Sequence, residues 1–101
     1  MSTGVRSDIV RELRQMFLRG YSVCELITFL QEKLDLKGDQ RLFVFIYLAE
    51  SFKLPLPTVQ KIGGWRGFSD GTQTDEEIEE ILNPDIRALE REWINDAAIE
   101  D

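Results

Sequence analysis

Residues 40–52, QRLFVFIYLAESF, decide the fold of this chain, because they fit either a buried β-strand or a buried helix. Their first half is rich in Phe, Val, Ile and Tyr, which favours a strand. No second convincing strand is present to pair with it, and a lone strand would leave backbone hydrogen-bond donors unpaired. The sequence therefore predicts a central helix, buried over most of its circumference. One side of that helix would carry Leu42, Phe45, Ile46, Ala49 and Phe52.

Helix signals also occur on the N-terminal side of this stretch. Ser7 is placed to cap a first helix, and Gly20 is placed to end it. Ser22 and Glu25 form the capping-box pattern at the start of a second helix. We therefore predict two amphipathic helices before residue 40.

The C-terminal half carries signals for further helices. Residues 55–64 contain two prolines and end in two glycines, which predicts a short helix. Thr74 and Glu77 repeat the capping box, and Asn83 and Pro84 are predicted to open a final helix. We predict a single all-α domain of five or six helices over residues 1–101. Residues 1–4 and 98–101 are expected to fray.

Composition excludes several classes of protein. With 101 residues, 43% of them apolar, the chain can build one modest core. No apolar run approaches the ~18 residues of a membrane span, and no secretory signal is recognisable, so we expect a cytoplasmic location. Histidine is absent and Cys24 is the single cysteine, which removes the commonest general base, Cys/His zinc sites and internal disulfides.

These absences predict a non-catalytic protein with no cofactor and no metal. Cys24 is expected to be a small buried apolar side chain. A pair of carboxylates such as Asp70 and Glu76, acting on a sugar, is the best remaining enzymatic alternative.

The net charge of −7 is unevenly distributed along the chain. Residues 1–69 hold ten Lys or Arg against seven Asp or Glu, whereas residues 70–101 hold two Arg against twelve Asp or Glu. A strongly anionic surface opposes binding to nucleic-acid phosphates and to anionic membranes. It favours a basic protein partner.

Six carboxylates between Thr74 and Arg87 form what we call the acidic face. Some lie in the first turn, where the helix dipole stabilises acids without any partner. Yet no Lys or Arg occurs between Arg66 and Arg87 to compensate the cluster. Calcium is disfavoured, because the segment lacks the alternating ligands and central glycine of an EF-hand loop. Two interpretations stay open, a solvated surface and a binding surface for a basic protein. The residues of the acidic face are Asp75, Glu76, Glu77, Glu79, Glu80 and Asp85.

A glycine-rich aromatic loop precedes the acidic face. Trp65, Arg66 and Phe68 lie in it, and Trp and Arg are favoured anchors of protein interfaces. We expect Trp65 and Phe68 to anchor a partner if they are exposed. The alternative is that Trp65 folds back over the core as a lid.

Two other functional classes stay open. Residues 48–65, LAESFKLPLPTVQKIGGW, follow the helix, turn, helix order of a helix-turn-helix DNA-binding regulator. Only Gln60 and Lys61 suit base contacts, however, and the negative net charge opposes binding to DNA. A helical adaptor or homodimeric scaffold would instead use leftover apolar surface at Phe43, Tyr47 or Trp93.

Three stretches of this small acidic chain are informative together: RGYSVCELITFL, LAESFKLPLPTVQKIGGW and SDGTQTDEEIEEILNPDI. Over about residues 20–86, their combination resembles the immunity proteins of bacterial toxin–immunity systems, including those of contact-dependent growth inhibition. The resemblance implies a cytoplasmic, stoichiometric inhibitor of a protein toxin. Nucleases are common targets of such inhibitors, and their phosphate-binding clefts are basic.

We therefore predict an all-helical inhibitor that binds a cognate basic toxin, expected to be a nuclease, in a one-to-one complex. Nucleic acid and membrane are not expected as partners. The residues predicted to contact the toxin are Asp70, Asp75, Glu76, Glu77, Glu79, Glu80, Asp85, Trp65 and Phe68.

Overall fold

The computed structural model describes residues 5–35, 41–68 and 71–94, and in it the stretch that decides the fold is helical from Arg41 to Phe52. Within these ranges no β-strand forms, and an isolated bridge pairs Trp65 with Gln73. The prediction of an all-α domain with five or six helices is therefore confirmed. The helices are α1 (Ser7–Leu18), α2 (Val23–Lys33), α3 (Arg41–Phe52), α4 (Leu56–Gln60), α5 (Asp75–Ala88) and α6 (Glu90–Ile94).

Helix α3 lies at the centre of the packing, where α1, α2, α4 and α6 contact it. Phe52 near its end packs 5.7 Å from Phe17 of α1 and 5.1 Å from Trp93 of α6, measured between ring centroids. Tilted and edge-on arrangements at these distances favour aromatic pairs beyond the area that they bury. This cluster attaches the first and last helices to α3.

The N-terminal end of α3 is less buried than the sequence predicts. Leu42, which we expected on the buried side, is 52% exposed, and its neighbour Phe43 is 49% exposed. The prediction for Leu42 is wrong, because the buried face of α3 begins at Val44. Tyr47 and Trp93 are buried, so Phe43 alone of the three side chains considered for self-association is exposed.

The start of α1 differs from the prediction. Ser7 is the first helical residue, and the N-cap is Arg6, which makes no side-chain capping bond. The backbone N–H of Arg6 donates to the Tyr47 hydroxyl at 3.0 Å. A tertiary contact to α3 therefore fixes this helix start in place of the predicted serine cap.

Gly20 ends α1 as predicted. Its φ of +98° lies in the left-handed region that glycine tolerates best. The N–H of Gly20 donates to Phe17 O and that of Tyr21 to Met16 O, both at 3.0 Å. This pair of bonds is the Schellman motif, and it satisfies carbonyls that the helix end leaves free. The tight reversal lets α2 begin at once at its Ser22 cap.

Pro84 lies inside α5 and does not open a new helix, so that prediction is wrong. Proline lacks an N–H for the Glu80 carbonyl and normally costs an interior helix position about 3 kcal/mol. Ile78, Leu82 and Ile86, each fully buried, lie on both sides of Pro84 on one face. Their packing against the core keeps α5 continuous to Ala88.

Candidate functional site

The acidic face is carried by α5, which packs on α2. The predicted capping box fixes its start: Thr74 Oγ1 accepts from the Glu77 N–H at 3.2 Å, and Glu77 Oε1 accepts from the Thr74 N–H at 2.7 Å. Glu77 therefore has a structural partner within its own helix.

Glu79 also has structural partners. Its Oε1 accepts from the Val23 N–H at 2.7 Å, and its Oε2 accepts from Asn83 Nδ2 at 2.7 Å. Val23 is the first residue of α2, so its N–H has no acceptor within that helix. Glu79 of α5 thus caps α2 across the interface between the two helices.

Asp75 is held by the aromatic loop. Its Oδ1 accepts from Trp65 Nε1 at 2.8 Å, and both Arg66 nitrogens that face it lie 3.5 Å from its oxygens. The Trp65 hydrogen bond, followed by that of Arg66, lowers the pKa of Asp75. Arg66 therefore compensates part of the charge of the acidic face, which sequence spacing alone did not show.

The remaining acids of the face are Glu76, Glu80 and Asp85. Glu76 and Glu80 are exposed and lie one turn apart, whereas Asp85 is half-buried. Within the described ranges, none of the three carboxylates makes a hydrogen bond or an ion pair. Like charges four residues apart on a helix repel one another, so this pair opposes folding slightly.

Trp65 and Phe68 are not exposed, and the condition for their role as anchors is therefore not met. They retain 7% and 6% of their surface, and their rings meet edge-on at 5.4 Å. The alternative of a lid over the core is the one observed. A Cβ on Gly71 would clash with the carbonyl oxygen of Trp65, so the close approach of the two backbone segments requires glycine at this position. Asp70 lies outside the described residues.

A groove of about 580 Å³ runs along α2 and ends at the start of α5. We call it the α2 groove. Tyr21, Phe29 and Trp65 line it together with carboxylates. Sequence reasoning missed it, because its walls come from three separate segments of the chain. The spacing of Cys24, Thr28 and Glu32 by four residues is the only local signal of a shared helix face.

Cys24 lines the α2 groove but is a poor nucleophile. Burial, followed by the nearby charge of Asp75, raises the pKa of its thiol to about 12. The thiol donates to the Asp75 carbonyl oxygen at 3.7 Å. Cys24 is half-buried, which is less than the full burial expected.

The described ranges contain no group of three or more His, Cys, Asp or Glu side chains placed to hold a metal ion. In the same part of the chain, no helix combines the length and apolarity needed to cross a membrane.

No protein-family model matches the chain, and no curated protein or solved structure is similar enough to it to count as a match. A functional assignment therefore depends on the geometry and charge of the chain itself.

Proposed function

We propose that this chain is a non-catalytic inhibitor of the immunity-protein kind, which binds a basic protein toxin through the acidic face of α5. The observation that carries the proposal is the exposed pair Glu76 and Glu80, which lacks a compensating cation among the described residues. Surface acids that repel one another and make no hydrogen bond or ion pair within the described ranges gain a favourable interaction when a cationic surface covers them.

The set of residues that we propose to contact the toxin is smaller than the set predicted from the sequence. Glu77 and Glu79 cap helix starts, and Asp75 is bonded to Trp65 and Arg66. These three carboxylates therefore contribute to the negative potential of the surface more than to direct contacts with the toxin. Glu76 and Glu80 would meet Lys or Arg of the toxin, with Asp85 beside them. A nuclease is the expected target, because its phosphate-binding cleft is basic.

The proposed inhibition requires binding alone. An anionic helix that covers a cationic cleft competes with the phosphates of a nucleic-acid substrate. Charge complementarity of this kind mainly accelerates association and discriminates between partners. A one-to-one complex that weakens as salt rises is the expected behaviour.

The test is affinity capture from the lysate and secreted fraction of the producing cell, at low and at about 0.5 M salt. Wild-type chain is compared with the double variant Glu76→Lys/Glu80→Lys. The matched control is Glu12→Lys/Glu50→Lys, which makes the same change in net charge at exposed positions of α1 and α3. Glu79 is left intact, because its loss would uncap α2.

The proposal predicts one basic protein, captured in one-to-one ratio by the wild type and the control but lost with the α5 variant. The same α5 variant should fail to protect cells from that protein. If capture and protection survive Glu76→Lys/Glu80→Lys, the acidic face is a solvated surface and the proposal is wrong.

Self-association is the second candidate function, favoured by the adjacent exposed side chains Leu42 and Phe43 at the start of α3. Exposed apolar neighbours of this kind can pack against a second copy. Sedimentation equilibrium at micromolar concentration decides the question: a dimer that Phe43→Ser abolishes supports a scaffold, and a monomer excludes it.

A further inference from the structure

The geometry points to the α2 groove as the docking site for a basic segment of the partner that carries an arginine beside an apolar side chain. This inference rests on the proposed function and names the recognition element of the partner. It also replaces the anchoring role expected of Trp65 and Phe68, which are buried.

The chemistry of the groove is the first argument. Its carboxylates are Glu25, Glu32 and Asp75, and no Lys or Arg is among the described residues that line it, although Arg66 lies beside Asp75 at 3.5 Å. Glu32 is exposed, and Oε1 of Glu25 accepts a hydrogen bond from the Ser22 N–H at 2.8 Å. The groove therefore carries net negative charge that complements a cationic segment.

The aromatic lining is the second argument. Tyr21 is a large aromatic side chain that is 42% exposed and lines the groove together with the carboxylates. Phe29 is half-buried and lies eight residues further along the chain, about two helical turns away. A guanidinium stacks on aromatic faces and binds carboxylates with two parallel hydrogen bonds, which an ammonium does not do. The lining thus favours arginine over lysine, with room for a neighbouring apolar side chain.

The position of the groove is the third argument. A smaller pocket of about 220 Å³ contains Ser22, Cys24 and Asp75, which also line the groove, together with Glu76 and Glu79. The groove is therefore continuous with the acidic face. A partner that meets Glu76 brings its neighbouring residues to the mouth of the groove.

The test uses a phage-displayed library of random peptides, selected on the full-length chain. We expect enrichment of peptides with arginine next to Leu, Ile, Phe or Tyr. One enriched peptide is synthesised and titrated into the ¹⁵N-labelled chain. The amide signals of Thr28 and Phe29 and the indole N–H signal of Trp65 should then shift.

The decisive variant is Thr28→Arg, which places a long cation in the groove at an exposed position of α2. Gln60→Arg, at an exposed position of α4, is the matched control with the same change in charge. Circular dichroism checks that both variants fold. We expect Thr28→Arg to weaken peptide binding at least about tenfold and the control to leave it unchanged.

The outcomes separate the two proposals. Peptide binding that Thr28→Arg abolishes supports the groove, even if no toxin is captured from cells. A second outcome is that a toxin is captured, that Thr28→Arg binds it as well as the wild type does, and that Glu76→Lys/Glu80→Lys does not bind it. This outcome supports the proposed function and refutes the α2 groove as the docking site. Failure to enrich basic–apolar peptides, or shifts confined to residues outside the groove, overturns it as well.

Discussion

Replacing Glu79 with alanine should lower the free energy of unfolding by about 1.5 kcal/mol, whereas the same change at Glu80 should alter it by less than about 0.5 kcal/mol. The two residues are neighbours on α5 and carry the same charge. They differ in what their carboxylates contact. Glu79 accepts hydrogen bonds from Val23 N–H and Asn83 Nδ2, each at 2.7 Å, and Glu80 is exposed to solvent.

The magnitude follows from these two contacts. Loss of a side-chain cap at a helix start costs about 1 kcal/mol, and the Val23 N–H would be left without an acceptor. The Asn83 contact, at the lower end of the usual range, adds about 0.5 kcal/mol. Removing either carboxylate also relieves repulsion within the acidic face by a few tenths of a kcal/mol. Because this gain is similar for both variants, it cancels when the two are compared.

Urea denaturation followed by far-UV circular dichroism measures the effect, as a shift of the midpoint with an unchanged slope. Glu79→Ala should also lower Tm by about 6 °C or more. Glu79→Gln keeps a neutral acceptor oxygen and should lose less than Glu79→Ala. If the alanine variants at 79 and 80 are equally stable, Glu79 does not cap α2 and the reasoning is refuted.

Four further predictions concern single residues. Folding lowers the pKa of Asp75, so the contribution of this carboxylate to stability is complete above its unfolded pKa of about 3.9 and is lost as pH falls through the folded pKa. The difference in free energy of unfolding between wild type and Asp75→Asn should therefore shrink on acidification, and a constant difference contradicts this. Cys24, with its raised pKa, should react with a disulfide reagent at neutral pH far more slowly than in urea, and equal rates would exclude a protected thiol. Gly71→Ala should destabilise by about 2 kcal/mol or more, since its Cβ meets Trp65 backbone; an unchanged urea midpoint refutes the clash. Pro84→Ala should stabilise by about 1 kcal/mol or more, and a lower midpoint would show that proline is not strained there.

Features that depend on neighbouring residues could be predicted from the sequence. Both capping boxes involve residues three apart, and Gly20 ends α1 through bonds within five residues. The helical structure of α3 could be predicted because the sequence offers no second convincing strand to pair with it. These local rules determine where α1 ends and where α2 and α5 begin.

Features that depend on distant contacts could not be predicted. The α5 helix continues through Pro84 because buried isoleucine and leucine side chains outweigh a local rule. Glu79 caps a residue 56 positions earlier, so charge counting could not tell it from exposed Glu80. The α2 groove likewise exists only after Trp65 and α5 pack beside α2.

The most direct test of the central claim is the association rate constant between the captured basic partner and the chain, measured at about 0.05 and about 0.5 M salt. We expect Glu76→Lys/Glu80→Lys to slow association about tenfold or more at low salt, and we expect high salt to remove most of the difference. The Glu12→Lys/Glu50→Lys control should associate nearly as fast as wild type. Equal rates for the wild type and the α5 variant at low salt would contradict the claim that the acidic face binds the partner.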